Sequence, residues 1–215
     1  ADDADETQAA EVSFLNLAAA KEVSAVVGPN DSGSAQRVSA VANFYGVPHV
    51  SYAATSESLS NKGEYPMFFR VIPADDGQTI AISELILTIF RSYGKWGSVT
   101  ILHGNGIYGK SGGSSLASFL REGNVSVDRI EMPGDFAFIP TVLTKIREGT
   151  SRTVVLYMSE GQGKEVMRAA EKEGMFGDEW QWLVSDSLQR VNFATYDISQ
   201  EFARGICISA YLHIC

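Results

Sequence analysis

The segment VSAVVGPNDSGSAQRVSAVANFYGVPHVSY, residues 23–52, decides the fold class. Its short apolar run, Val23–Val27, stops at a Gly-Pro pair, which is typical of a buried strand followed by a turn. Apolar residues then recur at helical spacing over Ser34–Tyr45, and Gly46 suits the C-cap of that helix. Because Val47–Tyr52 again has the composition of a strand, the segment predicts a strand, a helix and a second strand in succession.

The same alternation extends outward from this segment. Residues 7–21 carry apolar side chains at helical spacing. Downstream, the predicted strands and helices are, in chain order, Phe68–Ile72, Gln78–Tyr93, Ser98–Leu102, Ser111–Glu122, Val125–Met132, Ile139–Glu148, Thr153–Met158, Gly163–Glu173, Trp182–Val184 and Ile206–Ala210. An alternation of this kind predicts an α/β fold with parallel sheets that helices cover on both faces.

Composition and charge exclude several classes of protein. The chain has 215 residues, with 17 Lys and Arg against 26 Asp and Glu, and a net charge of −9. It therefore lacks the basic surface that binding to nucleic acid requires. No apolar run approaches the length of about 20 residues that spans a bilayer. Two cysteines are too few for a disulfide scaffold, and the three histidines, His49, His103 and His213, have no metal-like spacing.

A glycine-rich stretch, Gly104–Ser111, lies between a predicted strand and a predicted helix. It matches the P-loop pattern G-x-x-x-x-G-K-S, in which Lys110 would hold phosphates, Ser111 a magnesium ion, and Asp186 would be the partner carboxylate. It also matches the dinucleotide pattern G-x-G-x-x-G, with Asp128 about 20 residues further on. A third interpretation is an ordinary β–α turn in which the Lys-Ser pair is fortuitous.

A resemblance to a known family accounts for more of the chain. It is carried by GPNDSGS at 28–34, VPHVSYAATS at 47–56, YPMFFRVIPAD at 65–75, YGKSG at 108–112 and LVSD at 183–186. In order and spacing these segments resemble the type I periplasmic-binding-protein family. They most resemble the ANF-receptor-like "Venus flytrap" ligand-binding domains of class C receptors such as the metabotropic glutamate receptors. The resemblance runs from about residue 8 to residue 210.

The resemblance implies two Rossmann-like lobes with parallel sheets. A partial first lobe would cover residues 1–72, the first crossing between lobes would lie near Pro73, and the second lobe would cover residues 73–215. Family domains cross between lobes again and return to the first lobe. We therefore expect this sequence to be a piece of a larger ectodomain, with lobe 1 incomplete in it.

The chemistry of amino-acid binding suggests which first-lobe residues contact ligand. The backbone amides of the turn before Ser32, with the Ser32 hydroxyl, suit a carboxylate; alternatively, Ser32 or Asp31 caps the helix. By resemblance, Thr55 contacts both ends of the ligand, with backbone help at Ala53. Ala53 stands where many amino-acid-binding relatives have Ser, so one hydroxyl contact is missing. The alternative for Thr55 is a local turn closed by its hydroxyl.

From the second lobe, the resemblance assigns Asp75, Tyr108 and Asp186 to the ligand. Asp186 follows a predicted strand, and ligands bind at the carboxyl ends of parallel strands. Its carboxylate suits an ammonium group, over which the Tyr108 ring could lie. Asp75 could act likewise or cap the following helix. His103 lies beside the glycine turn, where we expect a structural role.

These residues and the resemblance predict a non-catalytic extracellular module, without cofactor or metal. It would capture a small polar ligand, most simply an amino acid, between its lobes and signal by lobe closure. We expect a dimer or larger receptor assembly, no nucleic-acid partner, and membrane attachment only through segments outside this sequence. The alternatives are a soluble periplasmic-type protein for solute uptake, a P-loop or dinucleotide-binding enzyme that uses Gly104–Ser111, and a degenerate flytrap that only holds partners together.

Overall fold

The computed structural model describes residues 3–20, 23–95, 97–188 and 206–208. The chain divides into two units, Ala1–Asp75 and Asp76–Cys215, which we call unit 1 and unit 2. Each unit has its own parallel sheet, so the predicted α/β class is confirmed. The lobe limits that the resemblance implies, 1–72 and 73–215, stay a prediction.

Unit 1 consists of a small sheet with two helices packed on each other. Its elements are α1 (Asp3–Ala19), β1 (Val26–Val27), α2 (Ser32–Tyr45), β2 (His49–Ser51), a 3-10 helix (Glu57–Ser60) and β3 (Phe68–Arg70). The three strands lie in the order β1-β2-β3, all parallel. The core of the unit is formed by Phe14, Ala18, Val38, Ala42 and Val47.

Helix α2 has caps of its own at both ends. The Asp31 side chain accepts a hydrogen bond of 2.8 Å from the Ser34 N–H, so Asp31 is the N-cap. Gly46 adopts the left-handed conformation, with φ 67°, and its N–H donates to the Ala42 carbonyl. The predicted C-cap is therefore confirmed, because glycine enters this region without a steric cost.

Unit 2 contains the larger sheet. Its elements are α3 (Asp76–Tyr93), β4 (Ser98–His103), α4 (Ile107–Glu122), β5 (Ser126–Glu131), a 3-10 helix (Phe136–Phe138), α5 (Ile139–Glu148), β6 (Thr153–Tyr157), α6 (Glu160–Lys172), β7 (Gln181–Val184), a 3-10 helix (Asp186–Leu188) and β8 (Ile206–Ile208). The strand order is β5-β4-β6-β7-β8, all parallel. The order reverses between β4 and β6, and such a switch point is where open α/β sheets bind ligands. Residues 209 and 210 of the last predicted strand lie outside the described residues.

Alternation along the central strands of unit 2 divides its core into two clusters. On one face of the sheet, Leu102, Leu156 and Trp182 pack with residues of α5 and α6. On the other face, Ile101 and Val155 pack with residues of α3 and α4. This division follows from the period of two in a strand and requires helices on both faces of the sheet.

One edge of the larger sheet is strand β5. Asp128, Arg129 and Glu131 on this strand are exposed, while Ile130 is buried. Among the described helices of both units, none is both long and apolar enough to cross a bilayer.

Candidate functional site

In unit 1, the predicted site residues follow the carboxyl ends of β1 and β2. Ser32 is the first residue of α2 and is almost fully buried. Its Oγ accepts a hydrogen bond of 3.1 Å from the Ser56 N–H. Since Asp31 caps the helix, the Ser32 hydroxyl instead ties the start of α2 to the loop after β2. We call that loop, residues 53–56, the Thr55 loop.

Ser51, the last residue of β2, organises the same loop and was missed by sequence reasoning. Its Oγ accepts from the N–H groups of Ala53, at 3.2 Å, and Ala54, at 2.8 Å. The same hydroxyl donates to the Pro29 carbonyl at 2.6 Å. The side-chain turn that was considered for Thr55 thus occurs four residues earlier, at a serine that ends a strand. The Ala53 N–H, at the position for which backbone help to the ligand was predicted, thus has Ser51 as its hydrogen-bond partner.

Thr55 and Asp75 are joined through their backbones. Both residues are buried, and the Asp75 N–H donates to the Thr55 carbonyl at 2.9 Å. The Thr55 hydroxyl makes no hydrogen bond within the part of the chain that the structure describes. By the division into units, Asp75 is the last residue of unit 1. Its assignment to the second lobe and to the ligand stays a prediction. The structure therefore groups Asp75 with Thr55.

A second residue that sequence reasoning missed is Arg70, at the end of β3. Its Nη1 donates to the carbonyls of Ser56, at 2.9 Å, and Ala54, at 3.4 Å. Its Nη2 donates to the Ser60 hydroxyl. The guanidinium group thus contacts the backbone on both sides of Thr55. The sequence shows only an arginine that follows two phenylalanines in a predicted strand, and the contacts that give Arg70 its role are visible only in the structure.

In unit 2, the structure brings together two of the predicted site residues that are far apart in sequence. Tyr108 lies in the first turn of α4, and Asp186 begins the 3-10 helix after β7. The Tyr108 hydroxyl donates to Asp186 Oδ1 at 2.9 Å. The Tyr108 ring lies 4.9 Å, centroid to centroid, from the ring of Tyr157, which ends β6. A phenol, a carboxylate and an aromatic face therefore meet at the carboxyl ends of the central strands.

The glycine-rich stretch does not have the geometry of a P-loop. We expected α4 to begin at Ser111, but it begins at Ile107, so the Gly-Lys-Ser part is helical. A Cβ on Gly109 would lie 2.5 Å from the Gly104 carbonyl oxygen, because the turn closes directly onto the helix. Only residues 104–106 remain outside the helix, and three residues are too few to wrap a phosphate. Lys110 instead lies 3.3 Å from Glu131 in an exposed ion pair.

The dinucleotide interpretation is also wrong about its acidic residue. Asp128 lies in the middle of β5, opposite Thr100, and not at the carboxyl end of the strand. A carboxylate that binds a ribose must stand at that end, next to the glycine turn.

Among the described residues, each unit contains one buried histidine. The His49 Nε2 lies 3.1 Å from the Ser39 hydroxyl, and the His103 Nδ1 lies 2.9 Å from the Gly104 carbonyl. Burial lowers the pKa of both side chains, against a smaller raising effect of the backbone at Gly28 and Gly104. The hydrogen bond of His103 fits the structural role expected for it. Across the described ranges, no cluster of three or more His, Cys, Asp or Glu side chains could hold a metal ion; His213 lies outside those ranges.

Comparison with known proteins gives a consistent result. The family described as "Receptor family ligand binding region" matches residues 1–205. The metabotropic glutamate receptor-like protein E of Dictyostelium discoideum is 31% identical over 182 residues, which is 80% of this chain and 22% of that protein. Metabotropic glutamate receptor 6 of Oryctolagus cuniculus is 29% identical over 80% of this chain and 20% of its own length. Glutamate receptor 3.1 of Oryza sativa is 32% identical over 78% of this chain and 18% of its own length.

These relatives are much longer than the region they share with this chain. The shared region is 22%, 20% and 18% of the length of the three curated relatives. What their remaining parts do is therefore a property of those proteins.

Proposed function

The chain belongs to the family of receptor ligand-binding regions, and from that premise we propose that it binds a small polar ligand, an α-amino acid by class, without catalysing a reaction. The observation that carries the proposal is the hydrogen bond of 2.9 Å between Tyr108 and Asp186. Two residues singled out for ligand contact meet at the carboxyl ends of the unit 2 strands, where α/β sheets bind ligands. The names of the relatives, which include glutamate receptors, support an amino acid.

The chemistry of the two units complements the two charges of an amino acid. In unit 1, the Thr55 and Ser32 hydroxyls are donors for a carboxylate; the Ser32 oxygen accepts from Ser56 but keeps its own proton to donate. In unit 2, the Asp186 carboxylate is an acceptor for an ammonium, and the Tyr108 ring offers a cation–π face. Pairing both charges matters because an unpaired charge is costly to bury.

We further propose that the ligand engages residues of both units and favours a closed arrangement of the lobes. A ligand shifts such an equilibrium only by its differential affinity for the closed state. In a receptor, this closure would be passed on to a dimer or larger assembly. The membrane segments of that assembly would lie outside this sequence.

Calorimetric titration of the complete ligand-binding region with a panel of amino acids tests the proposal. Asp186→Ala and Thr55→Ala should each weaken binding by about 1.5–3 kcal/mol, because each removes a hydrogen bond to a charged group. The matched controls are Asp178→Ala and Thr150→Ala, which change exposed residues elsewhere in unit 2. Unchanged affinity in both site variants would contradict the site, and binding of ATP with Mg²⁺ in place of amino acids would contradict the ligand class.

We also propose that the chain lies on the extracellular side of a membrane. Asn124-Val125-Ser126 matches the N-glycosylation pattern, and Asn124 is exposed in the turn between α4 and β5. The chain also contains the pattern Asn30-Asp31-Ser32, in which Asn30 is exposed. In secreted protein, a glycosidase should therefore lower the mass, Asn124→Gln should reduce that change, and Asn124→Gln together with Asn30→Gln should abolish it. Protein made in a glycosylating cell but carrying no glycan at Asn124 would argue against this location.

A further inference from the structure

We propose that Arg70 is a positioning residue that holds the Thr55 loop in the conformation that receives ligand, without contacting the ligand itself. This inference rests on the proposed function, since it assigns Arg70 a part in the same binding event. The residue was not among those that the resemblance assigned to the ligand. The argument stands on the contacts that surround Thr55.

The guanidinium group of Arg70 brackets Thr55. Its Nη1 donates to the carbonyl before this residue, on Ala54, and to the carbonyl after it, on Ser56. Its Nη2 donates to the Ser60 hydroxyl, at the end of the 3-10 helix that follows the loop. Arg70 is itself fixed on β3, where it pairs in register with Ser51 of β2. One side chain thus joins the strand to both ends of the loop.

The backbone of the Thr55 loop makes further hydrogen bonds, and none of them uses the Thr55 hydroxyl. Ser51 accepts from two N–H groups, Ser32 accepts from a third, and the Asp75 N–H occupies the Thr55 carbonyl. The Thr55 hydroxyl, by contrast, makes no hydrogen bond to a described residue. A loop whose backbone is held while one hydroxyl stays available is preorganised for a ligand, which lowers the entropic cost of binding.

The geometry requires arginine and not merely a positive charge. A planar guanidinium with five N–H donors can reach two carbonyls and a hydroxyl at once, whereas an ammonium group is a compact point charge. A second cation, Lys62, donates to the Phe68 carbonyl two residues before Arg70. Burial, and after it the charge of Arg70, lowers the pKa of Lys62. Arg70→Lys therefore keeps the charge and removes the fork.

Two measurements on the complete ligand-binding region test the inference. In Arg70→Lys, amide exchange over residues 53–57 should become about tenfold faster, the effect of losing about one hydrogen bond to a charged group. Amino-acid affinity should fall about tenfold for the same reason, and this fall should vanish when Thr55→Ala is already present. Arg37→Lys is the matched control, because Arg37 forms an exposed ion pair with Glu11 in the same unit; it should change neither quantity.

Ser60→Ala gives a second route if Arg70→Lys prevents folding. It removes the Nη2 partner and leaves the charge, so exchange over residues 53–57 should rise by less than in Arg70→Lys. Unchanged exchange in both variants would overturn the inference, as would a loss of affinity that persists undiminished in the Thr55→Ala background. If the unaltered protein binds no amino acid, the proposed function fails, and the exchange measurement still decides separately whether Arg70 holds the loop.

Discussion

The two units hold the polar residues at the ends of their strands in different ways. In unit 1, the side chains of Ser32, Ser51 and Arg70 bond to backbone groups of the Thr55 loop. In unit 2, the side chains of Tyr108 and Asp186 bond to each other. In unit 1, hydrogen bonds from side chains to the backbone thus fix the loop that carries the candidate residues. In unit 2, the hydrogen bond joins two side chains, and the positions of Tyr108 and Asp186 depend on the packing of the elements that carry them.

The difference follows from the size of the sheets. The strands of unit 1 have two or three residues, and those of unit 2 have up to six. Unit 2 has a hydrophobic cluster on each face of its sheet, and unit 1 has one small cluster. A short ladder with little buried apolar surface fixes its loops weakly, so side chains must do so.

The largest expected effect is in the core of unit 2. Trp182 is almost fully buried, and its Nε1 donates to the Met175 carbonyl at 2.6 Å. Trp182→Ala should lower the free energy of unfolding by about 3–5 kcal/mol, because it leaves a cavity and an unpaired carbonyl. Urea unfolding followed by circular dichroism measures this. As a control, Tyr93 is 71% exposed, and Tyr93→Ala should change the free energy of unfolding by less than about 0.5 kcal/mol. Equal effects of the two substitutions would contradict the assignment of Trp182 to the core.

A smaller effect is expected where α4 packs on the sheet. A Cβ on Gly112 would overlap the Tyr157 ring, so Gly112→Ala should destabilise the protein by about 1–3 kcal/mol. Gly77 in α3 has nothing within 4 Å of such a Cβ. Because Gly77 is the second residue of α3 and not in its interior, Gly77→Ala should stabilise by at most about 0.5 kcal/mol through helix propensity. The two melting temperatures should move in opposite directions, and a shift in the same direction would contradict the packing.

The glycines of α4 also show where prediction from sequence reached its limit. The helix was expected to begin at Ser111, but Gly109 and Lys110 already belong to it. The reasons for glycine there are close approaches to Gly104, Tyr157 and His103, from three other positions in the fold. Apolar spacing did predict the elements themselves, and α5 was found at Ile139–Glu148 as expected.

The same limit applies to the site. A family resemblance singled out residues such as Tyr108 and Asp186, which lie at strand ends that the alternation of elements also predicts. It could not find Arg70 or Ser51, because their partners are backbone carbonyls 16 and 22 residues away along the chain. A hydrogen bond between residues so far apart in the chain leaves no local sequence pattern. The acceptor leaves no signal either, because every residue type has a backbone carbonyl.

The buried histidines allow the units to be compared by pH. Burial, the largest cause, holds the pKa of His49 and His103 below 6.5 in the folded state, where the unfolded imidazole titrates. Above about pH 6.5 their stabilising effect is complete. As the pH falls below that value, the unfolded state binds protons first, and each histidine removes up to about 1.4 kcal/mol per pH unit.

Substitution separates the two contributions. All three tryptophans lie within Asp76–Cys215, so their emission during urea unfolding reports on unit 2. Between about pH 7.5 and pH 5, His103→Gln should make the urea midpoint detected by tryptophan emission less dependent on pH. Over the same range, His49→Gln should make the rate of amide exchange in β2 less dependent on pH, after correction for the intrinsic exchange rate. A full slope remaining in both variants would show that other groups control the acid response.

The smallest expected effect is at the surface of unit 2. Lys110 and Glu131 form an ion pair whose side chains are 54% and 48% exposed. Lys110→Ala should change the free energy of unfolding by less than about 1 kcal/mol and leave amino-acid affinity unchanged, since water and salt screen such a pair. Calorimetry and urea unfolding test both points. A complete loss of ligand binding would restore the phosphate interpretation of the glycine turn.

Among the described strands, β4 is the one neighbour of β5, so one row of backbone N–H and C=O groups on β5 has no partner strand in that part of the chain. A strand of another molecule can pair with such a row, and repeated pairing of this kind produces fibres. Two acidic side chains and one basic side chain stand along it, so a second copy that docked there would have to bury or match those charges. These charges therefore oppose polymerisation of the chain through this edge, even at high protein concentration.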